Sequence, residues 1–406
     1  MDAIVERCCG LDVHQASVVA CVLIGTKRPT TEVRTFRTVG KDLRALHAWL
    51  RELGVTHVGM ESTGIYWVPV FRALEGDFEL IVGNAQHIKN VPGRKTDVKD
   101  SEWLAHLTRC GLIRPSFVPP LPIRELRELT RYRRSLVNDQ ARERNRIQKL
   151  LETASIKLAS VASDVFGLSG RAMLRALADG ETDPKRLAEL AKSTLRKKIP
   201  ALVEAFEGNF EPHHRYLLKF ELERLEEIER AITTLDAHIQ TKLAPYEDKI
   251  ALLVQIPGFN RIVAASFIAE TGGDMSVFPS AGHLAAWTGV SPGNNETGGK
   301  KRPSGVRRGN VHLTTTLVQA AAGAVRAKNS YYKDKYWRLR TRRGALRALV
   351  AIAHKLLIAA YHVLSGNKPF VDLGAEYLLK RAAPTNTKKL LKKLEALGYK
   401  VTLEPA

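Results

Sequence analysis

Apolar positions along residues 1–118 recur with two different periods, and the periods separate strands from helices. "CCGLDV" and "ASVVACVLIG" are short, nearly continuous runs rich in Val, Cys and Leu, joined by a polar "HQ" turn, and they read as strands. "EVRTFRTV" alternates with period two and predicts a third strand. In "KDLRALHAWLREL" the apolar side chains Leu43, Leu46, Trp49 and Leu53 step as one face of a helix does. "THVGMES" and "FELIVGN" predict two more strands on either side of a helical "YWVPVFRALE". "DVKDSEWLAHLTRCG" then predicts a helix closed by Gly111. Three early strands followed by alternating units imply an α/β domain with a mixed sheet over residues 1–118.

The proline-rich "PSFVPPLP" reads as a linker, and the period beyond it is helical. An arginine-rich helix is expected from Ile123 to about Leu158. Its expected partner carries Leu222, Leu225, Ile228, Ile232, Leu235, Ile239 and Leu243, spaced by three or four as in a coiled-coil seam. Together they predict an antiparallel hairpin over 119–250, with an ordinary bundle helix as the alternative to a coiled coil. A small helical insertion at about 160–212 would hold "FGLSGRAMLRALADG". Residues 251–370 read as a third, mainly helical unit. Within it, "LLVQIPGFNRIVAASFIAETGG" has the form of a helix-hairpin-helix, whose turn amides can hold a DNA phosphate. A plain helical hairpin is the alternative. The tail 371–406 carries a basic amphipathic helix, "TKKLLKKLEALGYK", expected to follow a Pro-Thr-Asn break.

Charge narrows the class of partner. The 406 residues include 63 Lys and Arg against 42 Asp and Glu, a formal +21. Such an excess suits a polyanion, because each neutralised phosphate releases condensed counterions. Anionic membrane is the competing partner, but no apolar run is expected to approach the roughly 18 residues of a spanning helix. The start "MDAIVER" is not expected to be a signal peptide. Nucleic acid in a cytosolic setting is therefore expected, and no membrane. Cys8, Cys9, Cys21 and Cys110 form no C-x-x-C pair and read as small hydrophobes, not zinc ligands.

Four carboxylates stand out. Asp12 closes or follows the first strand, and Glu61 holds the same kind of position on "VGMES". Asp97 and Asp100, three apart in "KTDVKD", would share a face of a helical turn. Two strand-end carboxylates facing a helical pair would suit two divalent cations, which stabilise the attacking and leaving oxygens of a phosphoryl transfer. Turn and cap roles are the plain alternative.

The pieces "GLDVHQ", "MESTGIYW", "NAQHIKNVPGRKTDVKDSEWLA", "IPGF", "WTGVSPGNNETGGKK" and "RRGN" together resemble the DEDD transposases of the one-ten insertion-sequence family, also called bridge-RNA-guided recombinases. The resemblance runs in order from about residue 8 to residue 364. It implies a RuvC-like, RNase H-type N-terminal domain whose metal-binding quartet is Asp12, Glu61, Asp97 and Asp100, with Mg²⁺ as the cofactor, in two ions. It also implies a coiled-coil spacer, a C-terminal transposase domain supplying a serine nucleophile, donor and target DNA, a noncoding bridge RNA, and a tetramer of two dimers.

At the position matching that serine this chain has Thr297, in "GNNETGGKKRPSGVRRGN". A threonine hydroxyl can do the same chemistry but is more hindered and needs activation. Ser304 is the fallback, Ser291 a remoter one, and attack by water leaves the loop as a backbone clamp. Lys300, Lys301, Arg302, Arg307 and Arg308 would neutralise phosphates. His14 could touch the acidic site. Tyr66 and Trp67 read as packing for the following helix. "YYKDKYWRLRTRRGALR" and the arginine-rich helix have the composition of nucleic-acid surfaces. The expected function is a DNA recombinase or transposase. The alternatives are a hydrolytic RuvC-type junction nuclease, which needs no side-chain nucleophile, and a non-catalytic nucleic-acid scaffold.

Overall fold

The structure is a computed structural model and describes residues 3–92, 99–293, 296–301, 305–306 and 309–402. The chain forms two compact units, Met1–Val118 and Pro119–Ala406.

The first unit is built on five strands, β1 (Arg7–Val13), β2 (Ser17–Ile24), β3 (Thr30–Arg37), β4 (His57–Glu61) and β5 (Glu79–Gly83), in the order β3-β2-β1-β4-β5. β1, β2 and β3 form an antiparallel meander, while β4 pairs parallel with β1, and β5 with β4. The mixed sheet expected from the two periods is present, in an RNase H-like arrangement with helices on both faces. Helices α1 (Gly40–Glu52) and α2 (Trp67–Leu74) cover one face, where Leu46, Leu50, Val70 and Leu74 meet Leu11, Val58 and Met60. The short α3 (Ala85–Lys89) and α4 (Asp100–Arg109) belong to the other side, where Ala105 packs with Cys8, Cys21 and Leu23, and Ile88 with Leu104 and Leu107. Cys8, Cys9 and Cys21 are buried in the sheet. Burial pushes the Cys8 thiol up to about 12 and that of Cys21 to about 11, so they act as small hydrophobes.

Two glycines decide how close α4 comes. Gly10 and Gly59 are paired across β1 and β4, and side chains alternate, so both bare the same patch of backbone. A Cβ on Gly10 would lie 2.1 Å from the Ala105 nitrogen and 2.3 Å from the Ser101 carbonyl oxygen; one on Gly59 would lie 1.9 Å from Thr108 Oγ1. The Ile4 and Val5 amides, ahead of β1, donate to the Arg109 carbonyl at the other end of α4. α4 therefore runs opposite to β1, its first residue at the carboxyl end of that strand.

The second unit is mainly helical. Long α5 (Leu121–Thr153) is followed by four short helices, α6–α9 (Leu158–Val161, Leu168–Asp179, Pro184–Glu189, Ile199–Phe206), and then by long α10 (Pro212–Leu243). Ion pairs Lys242–Glu125 (2.8 Å), Arg133–Asp236 and Arg144–Glu229 (3.1 Å) show α5 and α10 running antiparallel. At one end Ile147, Leu150, Leu218, Leu222 and Leu225 pack with Met173, Leu174, Leu202 and Phe206 of the short helices. Past α10 come α11 (Glu247–Leu253), α12 (Arg261–Thr271) and α13 (Ala281–Thr288). A two-stranded hairpin of β6 (Glu296–Thr297) and β7 (Lys300–Lys301) precedes α14 (Val311–Ala324), α15 (Tyr331–Arg343), α16 (Ala345–Gly366) and α17 (Tyr377–Ala396). The turn between α11 and α12 needs Gly258 twice over: its φ is +85°, and a Cβ there would lie 2.1 Å from the Ala320 carbonyl oxygen of α14.

Two expectations require correction. α16 is 22 residues long with a mean hydropathy of 1.6 over 18 residues, so one apolar run does reach spanning length. Its Ala348, Ile352, Leu356, Leu357, Ala360 and Val363 are buried at helical spacing, and α11, α13, α14 and α15 pack against it. Such a core helix meets the same length and composition test. The Pro-Thr-Asn break is also absent, since α17 runs through Pro384. An interior proline costs about 3 kcal/mol, and good helix formers such as Leu, Lys and Ala on both sides oppose that cost.

A buried carboxylate ties α12 to α5 and to the start of α14. Glu270 is 2% exposed and receives two hydrogen bonds from Arg131, at 2.7 and 2.8 Å, and one from the Asn310 amide at 2.6 Å. Arg127 donates to the Ala269 and Glu270 carbonyls. Asn310 also caps α14, accepting from the Leu313 amide. Burial pushes the Glu270 carboxyl up, but the hydrogen bonds from Arg131 and Asn310 outweigh it and hold the group below the ordinary glutamate range.

Two outcomes follow. Gly10→Ala places its methyl against backbone that cannot yield, so denaturant melts should show a loss of about 3 kcal/mol or more. Gly59→Ala meets mainly a side chain, so Thr108→Ala should restore part of its loss and none of that from Gly10→Ala. Glu270 is held below its unfolded value, so its contribution is complete above about pH 4.5 and is lost as the pH falls through the folded value. Glu270→Gln strands two guanidiniums and should cost about 3–5 kcal/mol at neutral pH. It should also flatten the acid limb of stability against pH in urea melts.

Candidate active site

Asp12 and Glu61 sit at equivalent places on neighbouring parallel strands. The β1–β4 register runs to Leu11 opposite Met60, and each carboxylate is the next residue. Leu11 and Met60 enter the core under α1 and α2, so the alternation turns Asp12 and Glu61 to the face of Gly10 and Gly59, the face that α4 covers. Both are half-buried. Asp12 is hydrogen-bonded to His14 Nε2 at 3.1 Å, and Glu61 accepts from the Thr63 hydroxyl. Among the described residues, no Lys or Arg is paired with either. In a chain of charge +21, two strand-end carboxylates left to a histidine and a threonine are the informative observation.

α4 brings the third carboxylate. Because it lies antiparallel to β1 on the glycine pair, Asp100, its exposed first residue, is at the end of the sheet that holds Asp12 and Glu61. Lys99 ahead of it is extended, so the helical turn expected to hold Asp97 with Asp100 starts at Asp100 instead. Asp97 lies outside the described residues. The donors at this end are carboxylate oxygens, the chemistry hard divalent cations require. They are not drawn into a tight trio: among the described residues, the only group with all ligand atoms within 4.8 Å is Glu211, His213 and His214. That group caps α10, with the Glu211 amide donating to His214 Nδ1 at 3.1 Å.

The glycine-rich stretch after α13 contains a hairpin. Pro292 bridges to Val306, the Gly293 amide donates to the Gly305 carbonyl at 2.9 Å, and Glu296 and Thr297 pair with Lys301 and Lys300. Gly298 and Gly299 turn the chain with φ of +57° and +74°, as a two-residue turn with both residues left-handed requires. Thr297 and Lys300 are exposed beside that turn. Its base is fixed: Gly309 lies against Thr288 and Gly289, where a Cβ would come within 2.4 Å of backbone, and Asn310 is held by Glu270. Arg302, Ser304, Arg307 and Arg308 lie outside the described residues. Ser291 precedes the hairpin and is half-buried.

Other expected surfaces divide. Most arginines of α5 are paired with carboxylates or carbonyls, although Arg142 and Arg146 stay exposed. α15 keeps its composition in the open: Trp337 is half-exposed with Arg340 at 4.6 Å from its ring centre, while Tyr332 and Tyr336 are buried. Trp67 packs on Phe71 at the head of α2, as expected. The reading of the sequence missed Glu270, Arg131 and the double role of Asn310. "RRGN" carried a signal in its asparagine before an apolar run, an N-cap pattern; nothing pointed to a buried carboxylate as its partner.

Comparison with known proteins supplies the family. The DEDD transposase model of the IS110 family matches residues 9–156, and a second model, the transposase IS116/IS110/IS902 family, matches residues 250–337. The chain is 27% identical over 314 residues to a "Probable family 20 transposase" of Pseudomonas aeruginosa, covering 76% of this chain and 83% of that one. It is 26% identical over 310 residues to the "Transposase for insertion sequence element IS1111A" of Coxiella burnetii, covering 75% and 76%. The first match takes in Asp12, Glu61, Asp97 and Asp100, the second Glu270, Thr297 and Asn310. The chain belongs to the IS110 family of DEDD transposases, enzymes of DNA transposition.

Proposed function

We propose that this transposase cuts and joins DNA strands by phosphoryl transfer, with Asp12, Glu61, Asp97 and Asp100 as the metal-holding carboxylates and Thr297 as the attacking hydroxyl. The observation that carries the proposal is the gathering of Asp12, Glu61 and Asp100 at one end of the sheet, the first two without a basic partner among the described residues. The DEDD family implies divalent metal ions. We take them to be two Mg²⁺, which when bound would polarise the phosphate and stabilise the displaced oxygen.

The chain's own residues would do the rest. Thr297 Oγ attacks phosphorus and loses its proton, a Thr–phosphate ester forms, and the cut strand leaves with a free hydroxyl. A hydroxyl of the partner strand then attacks the ester and releases Thr297, so the bond is exchanged without net hydrolysis. The turn at Gly298 and Gly299 leaves Thr297 unobstructed, and Lys300, Lys301, Arg302, Arg307 and Arg308 would offset phosphate charge. His14 would orient Asp12 through their hydrogen bond. The resemblance further supports a RuvC-like first domain, 119–250 as a coiled-coil spacer with its insertion, 251–370 as the transposase domain and 371–406 as a basic tail. It also supports a noncoding bridge RNA, a tetramer of two dimers, and work in the cytoplasm on donor and target DNA.

Labelled DNA incubated with protein, the RNA and Mg²⁺ should yield a protein–DNA adduct that maps to Thr297 by mass spectrometry. Asp12→Asn and Glu61→Gln should each lower strand cleavage by on the order of a hundredfold or more with the fold intact by circular dichroism. Thr297→Ala should abolish cleavage and Thr297→Ser retain it, since serine has the same hydroxyl with less crowding. Cleavage that survives Thr297→Ala without an adduct would point to the hydrolytic nuclease. An adduct on Ser304 would move the nucleophile within the same stretch. Cleavage unaffected by Asp12→Asn would contradict the acidic site.

A further inference from the structure

We infer that the cavity bounded by α5, α10, α12 and α14 is a phosphate-binding site, lined by none of the residues of the acidic site or the hairpin. Its volume is about 140 Å³. That is room for roughly ten waters, enough for a phosphate group and part of its hydration but well short of a whole nucleotide.

The cations around it are unequally paired. Arg131, Arg133, Arg134 and Arg261 all line the cavity. Arg131 is taken by Glu270, Arg133 by Asp236 and Arg261 by Glu247. Arg134 is the exception: its Nη1 donates to the Thr316 hydroxyl at 3.0 Å, and no carboxylate among the described residues pairs with it. It is half-buried, and burial pushes its pKa below the ordinary arginine value. A guanidinium deprived of part of its water and given no anion is held at a cost that an anion would offset. His312 lines the same cavity, and its protonation is disfavoured by burial and then by Arg131. A bound anion would answer both.

The donor set selects the anion. A planar guanidinium with free N–H groups beside an imidazole matches the several oxygens of a phosphate better than a lone carboxylate, while the Thr316 hydroxyl, which donates to the His312 carbonyl at 2.9 Å, only holds Arg134 in place. The site faces solvent through its half-buried and exposed lining, so a phosphodiester could enter while its sugars and bases stay outside. A transposase binds DNA, which supplies that group in abundance. The carboxylate site is not needed for this inference, and either can fail without the other.

The test uses the full chain and Arg134→Gln, with inorganic phosphate as the first probe. Thermal melts at matched ionic strength in chloride, phosphate and acetate should show phosphate raising the wild-type midpoint above chloride and acetate. In Arg134→Gln that rise should vanish, with phosphate affinity weaker by on the order of tenfold or more. The variant should melt in chloride no lower than the wild type, because removing an unpaired charge relieves a cost. A short DNA duplex, titrated across salt concentrations, separates the sources. If the ligand is a backbone phosphate, the duplex displaces phosphate and the salt slope of DNA binding falls by about one in Arg134→Gln. If free phosphate is the ligand, the slope is unchanged while the thermal effect persists. Equal phosphate responses in both proteins would overturn the site. So would an Arg134→Gln that melts well below wild type in chloride, since Arg134 would then be a structural tie to Thr316.

Discussion

The close approach of α4 to the bare backbone of β1 and β4 is the constraint on which the acidic site depends. A helix resting on ordinary side chains would stand farther from the sheet. Paired Gly10 and Gly59 remove that spacing at one patch, and Ala105, Ser101 and Thr108 occupy the space. The hydrogen bonds from Ile4 and Val5 to Arg109 then fix the direction of the helix. Once position and direction are set, Asp100 can only begin at the carboxyl end of β1 and β4, where loops leave a parallel pair and ligands commonly bind.

The second unit solves a similar problem by other means. The hairpin bearing Thr297 has almost no apolar side chain and cannot be anchored by burial. Its ends are held instead by Gly309 packed on the backbone after α13 and by Asn310, which joins the cap of α14 to the buried Glu270. Arg131 and Arg127 compensate Glu270, so the charge that orders the base of the hairpin is supplied by α5. Several arginines that look from composition like a nucleic-acid surface are thus structural, and Arg134 is conspicuous because no carboxylate among the described residues pairs with it.

Much of the fold was legible because periodicity is a local property. Five strands, helices α1, α2 and α4 of the first unit (though not the short α3), the long antiparallel pair and the helical turn at Pro257-Gly258 all follow from spacings within a dozen residues. What escaped reading were relations between distant segments. Gly10 and Gly59 are unremarkable singly, and their pairing exists only through the sheet register. Glu270 looks like a solvated helix residue until Arg131 closes on it. The hairpin at Thr297 was hidden because its strands are two residues long and polar, so neither period shows. The length of the apolar run in α16 is masked in the sequence because Arg347, His354 and Lys355 interrupt residues that are apolar on average. Asp12, Glu61 and Asp100 were visible one by one; their arrival at one end of the sheet required the register and the direction of α4.

The most direct measurement is of metal binding at the acidic site. Titrating Mn²⁺ into the full chain and following free ion by electron paramagnetic resonance reads occupancy without relying on turnover. The account predicts saturable binding in the wild type that is lost in Asp12→Asn and in Glu61→Gln and kept in Thr297→Ala. Binding of equal strength in all four proteins would contradict it.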